Sequence, residues 1–242
     1  MNKTVHMLWV YGNLSKLQRI SASSFIHHGF EVHIWSYNDN INLPKGAKVC
    51  NAREILSESR IFKYENGSYA GFSNLFRYAV LSKIGGLWAD MDVICNMQVE
   101  NLGVKPFLVS QRNYGAGVSV NNNVIYNPNP TNNDMIALAY AFANSFPVDK
   151  LKWGDCGPKL FSVLTKFYPQ IAFQALKPNF ANPFSSWDCP KVLLEPNIGI
   201  PPETKFIHCY AEMWNKAGIP TDISYPPGSI MARMEAKFIA NL

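Results

Sequence analysis

Two aspartates separated by one residue, Asp90-Met91-Asp92, follow a glycine pair and an apolar run, Gly85-Gly86-Leu87-Trp88-Ala89. Oxygen donors in such a pair suit Mg²⁺ or Mn²⁺, ions that take few protein ligands and complete their shells with phosphate oxygens and water. On a strand running from Leu87 to Ile94, the two-residue period sends both carboxylates to the same side. Carboxylates that close repel each other when both are buried and ionised, so a cation, a proton or solvent must relieve them. Upstream, Asn74 and Arg77 stand one helical turn apart on one side of a helix, which adds an amide and a permanent cation to the group.

The elements that must position these residues read as α/β. Val5 to Tyr11 is β-rich and closes on Gly12-Asn13, an amphipathic stretch follows from Ser15 to about His28, and Glu31 to Ser36 is β-rich again, ended by Asn38-Asp39-Asn40. Strand, helix, strand is a βαβ unit and implies a parallel sheet with helices on its faces. Ligands of such sheets sit beyond the carboxyl ends of the strands, which marks Trp9, Tyr11, Gly12, Asn13, Ser36 and Tyr37 as candidate substrate contacts. Aromatic residues in a strand also have the plainer role of core packing.

The clearest helix is Phe72 to Ile84, where Phe72, Leu75, Phe76, Ala79, Val80 and Ile84 recur at three- and four-residue spacing, Ser73 caps the start and Gly85-Gly86 stops it. The second half reads as loop-rich, punctuated by Asn121-Asn122-Asn123 and by the Asn/Pro run from Asn127 to Asn133. Helices are expected from Asp134 to Phe146 and from Lys159 to Phe167, the latter entered through a Gly154-Asp155-Cys156-Gly157-Pro158 turn. A late strand at Phe206 to Tyr210 and an amphipathic helix from Gly228 to Leu242 close the chain. No repeat or long linker divides it, so one domain over residues 1–242 is expected.

Taken together, Ser73-Asn74-Leu75-Phe76-Arg77-Tyr78 and Gly85-Gly86-Leu87-Trp88-Ala89-Asp90-Met91-Asp92 resemble the central signature of sugar-nucleotide-dependent glycosyltransferases of the DXD, GT-A type. The resemblance is closest to glycosyltransferase family 32 and extends to the glucosylating domains of large clostridial toxins. The βαβ start, and His208 with Trp214 six residues on, match more loosely. The resemblance implies a GT-A-like, Rossmann-type mixed sheet flanked by helices, with a nucleotide-sugar-binding half over 1–100 and a loop-rich acceptor-side half over 101–242. It also implies transfer of a hexose from a nucleotide diphosphate sugar, UDP-sugar first, to a glycan or lipid-linked oligosaccharide, with retention, in polysaccharide biosynthesis.

Residue by residue, the resemblance makes Asp90, Asp92 and Arg77 the catalytic set. Asp92 would bind Mn²⁺ or Mg²⁺ directly; Asp90 would hold the donor's ribose and sugar or reach the metal through water; Arg77 would contact sugar or phosphate. Asn74 stands where these families carry Asp, which removes a charge and puts the choice of sugar in question. His208 resembles a late metal ligand, Trp214 a flap over the diphosphate, and Asp155 an acceptor-side contact, although Asp155 serves the turn equally well.

The rest of the composition narrows the setting. A net charge of +5 fits an anionic small molecule or membrane surface, and the absence of a basic run argues against nucleic acid. Five widely spaced cysteines, an odd number without C-x-x-C, read as reduced thiols of a cytoplasmic protein. No signal-like segment and no apolar run of about 18 residues is present, which predicts a soluble protein, at most peripheral to a membrane. The stripe Ile230, Met231, Met234, Phe238, Ile239 and Leu242 is expected to dock on the protein's own core, with an anionic membrane surface as the other reading. Two functional alternatives are weighed. A haloacid-dehalogenase-type phosphatase places its Asp-x-Asp nearer the N-terminus and needs a later acidic pair that is missing here. A non-catalytic sugar-binding module leaves the presence of Asp90, Asp92 and Arg77 together without a purpose.

Overall fold

The computed structural model describes residues 3–239 apart from 114, 116 and 172. Alternation in the first strands fixes two faces. In β1 (Thr4–Leu8) Val5 and Met7 enter one apolar layer and Leu8 the opposite one; in β2 (Glu31–Ser36) Val32 and Ile34 join the first and Trp35 the second. The expected boundaries of β2 are met at both ends, and β3 (Ala47–Asn51) pairs with it in parallel, a short and largely exposed strand that the sequence does not announce. α1 (Lys16–His27) crosses between β1 and β2, its start fixed by Ser15, whose backbone N–H donates to Gln18 Oε1 at 3.1 Å.

α2 (Ala70–Lys83) begins earlier than expected, with Tyr69 rather than Ser73 at the cap position. Phe72, Leu75, Phe76, Ala79 and Val80 are buried on its inner face, as the spacing predicts. Ser73 instead accepts from Arg77 one turn on, at 3.1 Å. The helix then hands the chain to β4 (Gly86–Ala89) through two glycines with φ of 76° and 93°. A Cβ on Gly85 would meet the Asn127 carbonyl at 2.8 Å, so both the backbone angle and the space exclude other residues there.

The chain continues through β5 (Val93–Cys95), β6 (Phe107–Arg112), β7 (Val118–Asn127), α3 (Met135–Ser145), α4 (Pro158–Phe167), β8 (Gln174–Leu176), α5 (Cys189–Leu194), β9 (Phe206–His208), α6 (Ala211–Lys216) and α7 (Ile230–Phe238). The main sheet has the order β3-β2-β1-β4-β7-β6-β8, parallel from β3 to β4 and antiparallel where β7 pairs with β4 and β6; β5 and β9 form a second, antiparallel pair. It is a mixed α/β sheet flanked by helices, the architecture the resemblance implies. The second half holds more regular structure than its Asn and Pro content suggests: Asn121, Asn122 and Asn123, expected in a loop, lie inside the ten-residue β7. Their side chains are buried, Asn121 donating to Gln111 on β6, Asn122 to Asn74 on α2 and Asn123 accepting from Asn182 at 3.3 Å, which offsets the weak strand preference of asparagine.

α3 and α7 begin at the expected caps. Asp134 accepts from the backbone of Ile136 and Ala137 at 2.9 and 2.8 Å, and Ser229 from Ala232 at 3.1 Å. On α7, Ile230, Met231, Met234 and Phe238 are buried among α1 and α5, so the apolar stripe covers the protein's own core and the membrane reading loses the face it required. Leu242 lies outside the described residues. The five cysteines are free thiols, as expected, and no helix among the described residues is long and apolar enough to cross a membrane.

One buried histidine ties β1, β2 and the glycine pair together. Trp35 Nε1 donates to His6 Nδ1 at 3.1 Å, which leaves the proton on Nε2, and that nitrogen donates to the Gly85 carbonyl at 3.1 Å. Burial first, and the nearby His33 second, lower the His6 pKa to about 4. The folded state therefore binds its proton more weakly than the unfolded chain, and the contribution is complete above about pH 6.5 and lost as pH falls towards 4. Urea unfolding at pH 7 and pH 4.5 is expected to show roughly 2 to 3 kcal/mol of extra acid destabilisation in the wild type relative to His6→Gln; equal slopes would show that His6 does not hold its neutral form.

Candidate active site

The strand expected from Leu87 to Ile94 is broken, and the break makes the site. Asp90 ends the main sheet, its backbone N–H donating to Asn123 at 2.9 Å; a turn closed by Val93 N–H to the Asp90 carbonyl at 3.0 Å then sends the chain into the second sheet. There Val93 pairs with His208, and the Cys209 N–H donates to the Asp92 carbonyl at 2.8 Å. Asp90 thus leaves one sheet as Asp92 enters the other, and the β5–β9 register brings in His208. One ligating atom from each of the three lies within 4.8 Å of the others. A turn between two sheets, rather than the pleat of one strand, brings the carboxylates together.

Asp90 is held on one oxygen. Its Oδ1 accepts from Trp88 Nε1 at 2.8 Å and faces Arg77 Nη2 at 2.9 Å. Arg77 is almost completely buried and spends its other donors on Ser73 and on the Asn122 carbonyl, with its guanidinium 5.2 Å from the centre of the Trp88 ring. Burial raises the Asp90 pKa; Arg77 opposes that and the Asp92 charge adds to it. On Asp92 burial also works upwards, but His208 and the backbone N–H of Ala211, which donates to Oδ2 at 2.7 Å, reverse it, and the pKa lies below the usual range. Asp90 Oδ2 has no protein donor among the described residues, while on Asp92 the oxygen held by Ala211, Oδ2, also faces His208 Nε2 at 3.5 Å.

His208 decides what the group can hold. Asn182 donates from Nδ2 to the Ser110 carbonyl at 2.9 Å and towards Asn123 Oδ1 at 3.3 Å, so its Oδ1 is the acceptor for Tyr210 OH at 3.3 Å and for His208 Nδ1 at 3.2 Å. His208 Nδ1 therefore carries a proton, and Nε2 faces the Asp92 carboxylate, where it holds either a second proton or a lone pair open to a cation. Such a pair repels unless a cation or a second proton lies between. Two carboxylates and an imidazole oriented through its other nitrogen fit a hard, octahedral divalent ion such as Mn²⁺ or Mg²⁺. If Asn182 sets that orientation, Asn182→Ala weakens Mn²⁺ binding about 10- to 100-fold in a calorimetric titration; unchanged affinity would remove it from the metal's support.

The three residues line an open cavity of about 500 Å³, together with Arg77 and Asn74. Asn74 Oδ1 accepts from Asn122 Nδ2 at 2.9 Å, and Asn122 also reaches the buried Tyr78 hydroxyl at 2.7 Å. Other expected contacts are not brought here. Trp9, Tyr11, Gly12, Asn13, Ser36 and Tyr37 do lie at the ends of β1 and β2, but the cavity lining does not include them. Trp9 donates to the Gly12 carbonyl at 3.1 Å, Ser36 lies buried near the Val10 carbonyl at 3.3 Å, and the buried Tyr37 donates to the Leu56 carbonyl at 2.8 Å. Tyr11 packs beside Tyr37 and Tyr69 and donates to Glu58 at 2.6 Å.

Trp214, expected as a flap, is fully buried and donates to the Cys209 carbonyl at 2.8 Å, so it is a core residue beneath the site. Asp155 caps its own turn, accepting from Lys152 N–H at 2.9 Å and pairing with Lys159 at 3.1 Å, while its neighbour Gly154 lines the cavity. Lining residues that sequence reasoning missed include Tyr64, Gln111, Trp153, Trp187, Tyr210 and Lys216. They come from β6, from separated loops and from α6, and no spacing pattern links them.

Residues 7–108 match the family model described as glycosyltransferase sugar-binding region containing DXD motif. The span includes Asn74, Arg77, Asp90 and Asp92 and stops short of His208. No curated protein matches the chain. Among solved structures, the PaToxG glycosyltransferase is similar over 69% of this chain and 70% of its own, at 20% identity and a TM-score of 0.47. A transferase carrying two cysteine-to-serine substitutions is similar over 69% of this chain and 86% of its own, at 14% identity and a TM-score of 0.42. The matched stretch, residues 7–108, supplies both aspartates and the arginine that holds one of them, and it is similar to the glycosyltransferase sugar-binding region containing DXD motif.

Proposed function

We propose that the protein transfers a hexose from a nucleotide diphosphate sugar, a UDP-hexose in first place, to a glycan or lipid-linked oligosaccharide acceptor, with retention and in polysaccharide assembly. The observation that carries the metal-dependent part is the cluster of Asp90, Asp92 and a His208 ring oriented through Nδ1 with Nε2 facing Asp92, in the wall of a cavity large enough for a sugar nucleotide. Asp92, Asp90 and His208 would hold Mn²⁺ or Mg²⁺, which supplies Lewis-acid stabilisation of the leaving diphosphate. Arg77 opposes the rise that burial gives the Asp90 pKa and fixes one of its oxygens, leaving the other for the cavity. Asn74, with its carbonyl taken by Asn122, offers its amide nitrogen where an aspartate would offer only acceptors. The choice of UDP, retention and the polysaccharide setting follow the family resemblance.

Thermal unfolding with UDP, GDP, CDP and their common hexose conjugates, each with Mn²⁺ and with EDTA, tests this directly. A ligand at about a hundred times its Kd stabilises by roughly 2.7 kcal/mol, which raises the midpoint of a chain this long by about 5 °C or more. The expected result is a shift with one nucleotide class, only with metal. No shift with any nucleotide would overturn the reading.

A further inference from the structure

Six tryptophans occur in the chain, and a buried or partly buried indole N–H ordinarily finds a protein acceptor. Four do: Trp9 donates to Gly12, Trp35 to His6, Trp88 to Asp90 and Trp214 to Cys209. The other two, Trp153 and Trp187, have no hydrogen-bond partner among the described residues, are 49% and 62% exposed, and both line the cavity that holds the acidic group. Trp187 has no ring neighbour either among the described residues. Trp153 is set by Tyr64, with ring centres 5.4 Å apart, and by the Lys216 ammonium 5.9 Å from its ring centre. Exposed tryptophan is costly to leave in water, since each ring is a large apolar surface. Two of them lining one cavity, each with a free donor, match a ligand that has flat C–H faces and hydroxyl acceptors together.

Resting on the glycosyltransferase reading above, we propose that Trp153 and Trp187 form the carbohydrate acceptor subsite, stacking on pyranose faces and donating to ring hydroxyls, with Glu212 and Lys216 of α6 as the polar groups beside them. A nucleobase would also stack on an indole. The two rings with the charged hydrogen-bonding groups of Glu212 and Lys216 in the same lining favour a hydroxyl-rich ring over a base.

The test uses the intact protein and the Trp153→Ala and Trp187→Ala variants, each measured for binding to an array of immobilised glycans and for the thermal shift with UDP and Mn²⁺. Both residues are exposed, so the variants should fold, which the unfolding curve without ligand checks. The expected result is wild-type binding to a subset of glycans, weakened about tenfold or more by either substitution, with the nucleotide shift unchanged. Loss of the nucleotide shift in the variants would assign the rings to the base and overturn the proposal. Wild-type binding to no glycan, or binding that both substitutions leave intact, would overturn it too. A wild-type nucleotide shift seen alongside these failures leaves the donor reading standing, so the two are separable.

Discussion

Asp92→Asn is expected to lower metal-dependent sugar transfer or donor hydrolysis by about a thousandfold or more, while the unfolding midpoint moves by only a few degrees. The carboxylate is the group that both sheets deliver to the centre of the cluster, between His208 at 3.5 Å and the Ala211 N–H at 2.7 Å. An asparagine can still turn its oxygen to Ala211, so the hydrogen bond that anchors the start of α6 survives. It then presents an N–H₂ where a cation must sit and removes the charge that binds it. Relief of the repulsion with Asp90 offsets part of what the fold loses with a carboxylate whose surroundings favour its charge. Turnover with Mn²⁺ measured at saturating donor checks this, and near-normal rates would contradict the metal assignment.

Arg77→Ala is expected to act first on stability. Its guanidinium is almost completely buried and faces Asp90 at 2.9 Å, and it also serves Ser73 and the Asn122 carbonyl. Removing one partner of such a pair leaves a poorly solvated carboxylate beside Asp92 and several acceptors without donors, which costs about 3 to 5 kcal/mol. For a chain of this length that lowers the midpoint by about 10 °C. Arg77→Lys keeps the charge but not the fork of donors, and recovers only part of the loss. Urea unfolding of both variants decides it: a loss below about 1 kcal/mol in Arg77→Ala would show that the arginine is a solvated ligand contact rather than the support of Asp90.

Much of the first hundred residues was legible because local pattern and tertiary role agree there. The βαβ start, the inner face of α2 and the glycine stop all follow from period, caps and backbone freedom, and the Asp-x-Asp follows where a strand leaves the sheet. The bend between Asp90 and Asp92 was not legible, since it depends on β5 pairing with a strand more than a hundred residues away. His208 was visible as a residue but not as a neighbour, because its place comes from that same register. Asn121 to Asn123 misled for a related reason: asparagine reads as a turn former, and only the partners Asn74, Gln111 and Asn182 explain why it serves inside a strand. The aromatic residues after β1 and β2 find partners away from the cavity: Trp9 and Tyr37 donate to the Gly12 and Leu56 carbonyls and Tyr11 to the Glu58 carboxylate. Trp153 and Trp187 carried no signal at all in the sequence, as neither belongs to a periodic element.

The central claim is that Asp90, Asp92 and His208 together hold one divalent ion against a nucleotide diphosphate. The most direct measurement is anomalous X-ray diffraction from crystals soaked in Mn²⁺ with UDP. The account predicts a single strong manganese peak among the three side chains, bridged to the diphosphate, and its loss in Asp92→Asn crystals. A diphosphate bound with no manganese peak there, or a peak ligated by other residues, would contradict it.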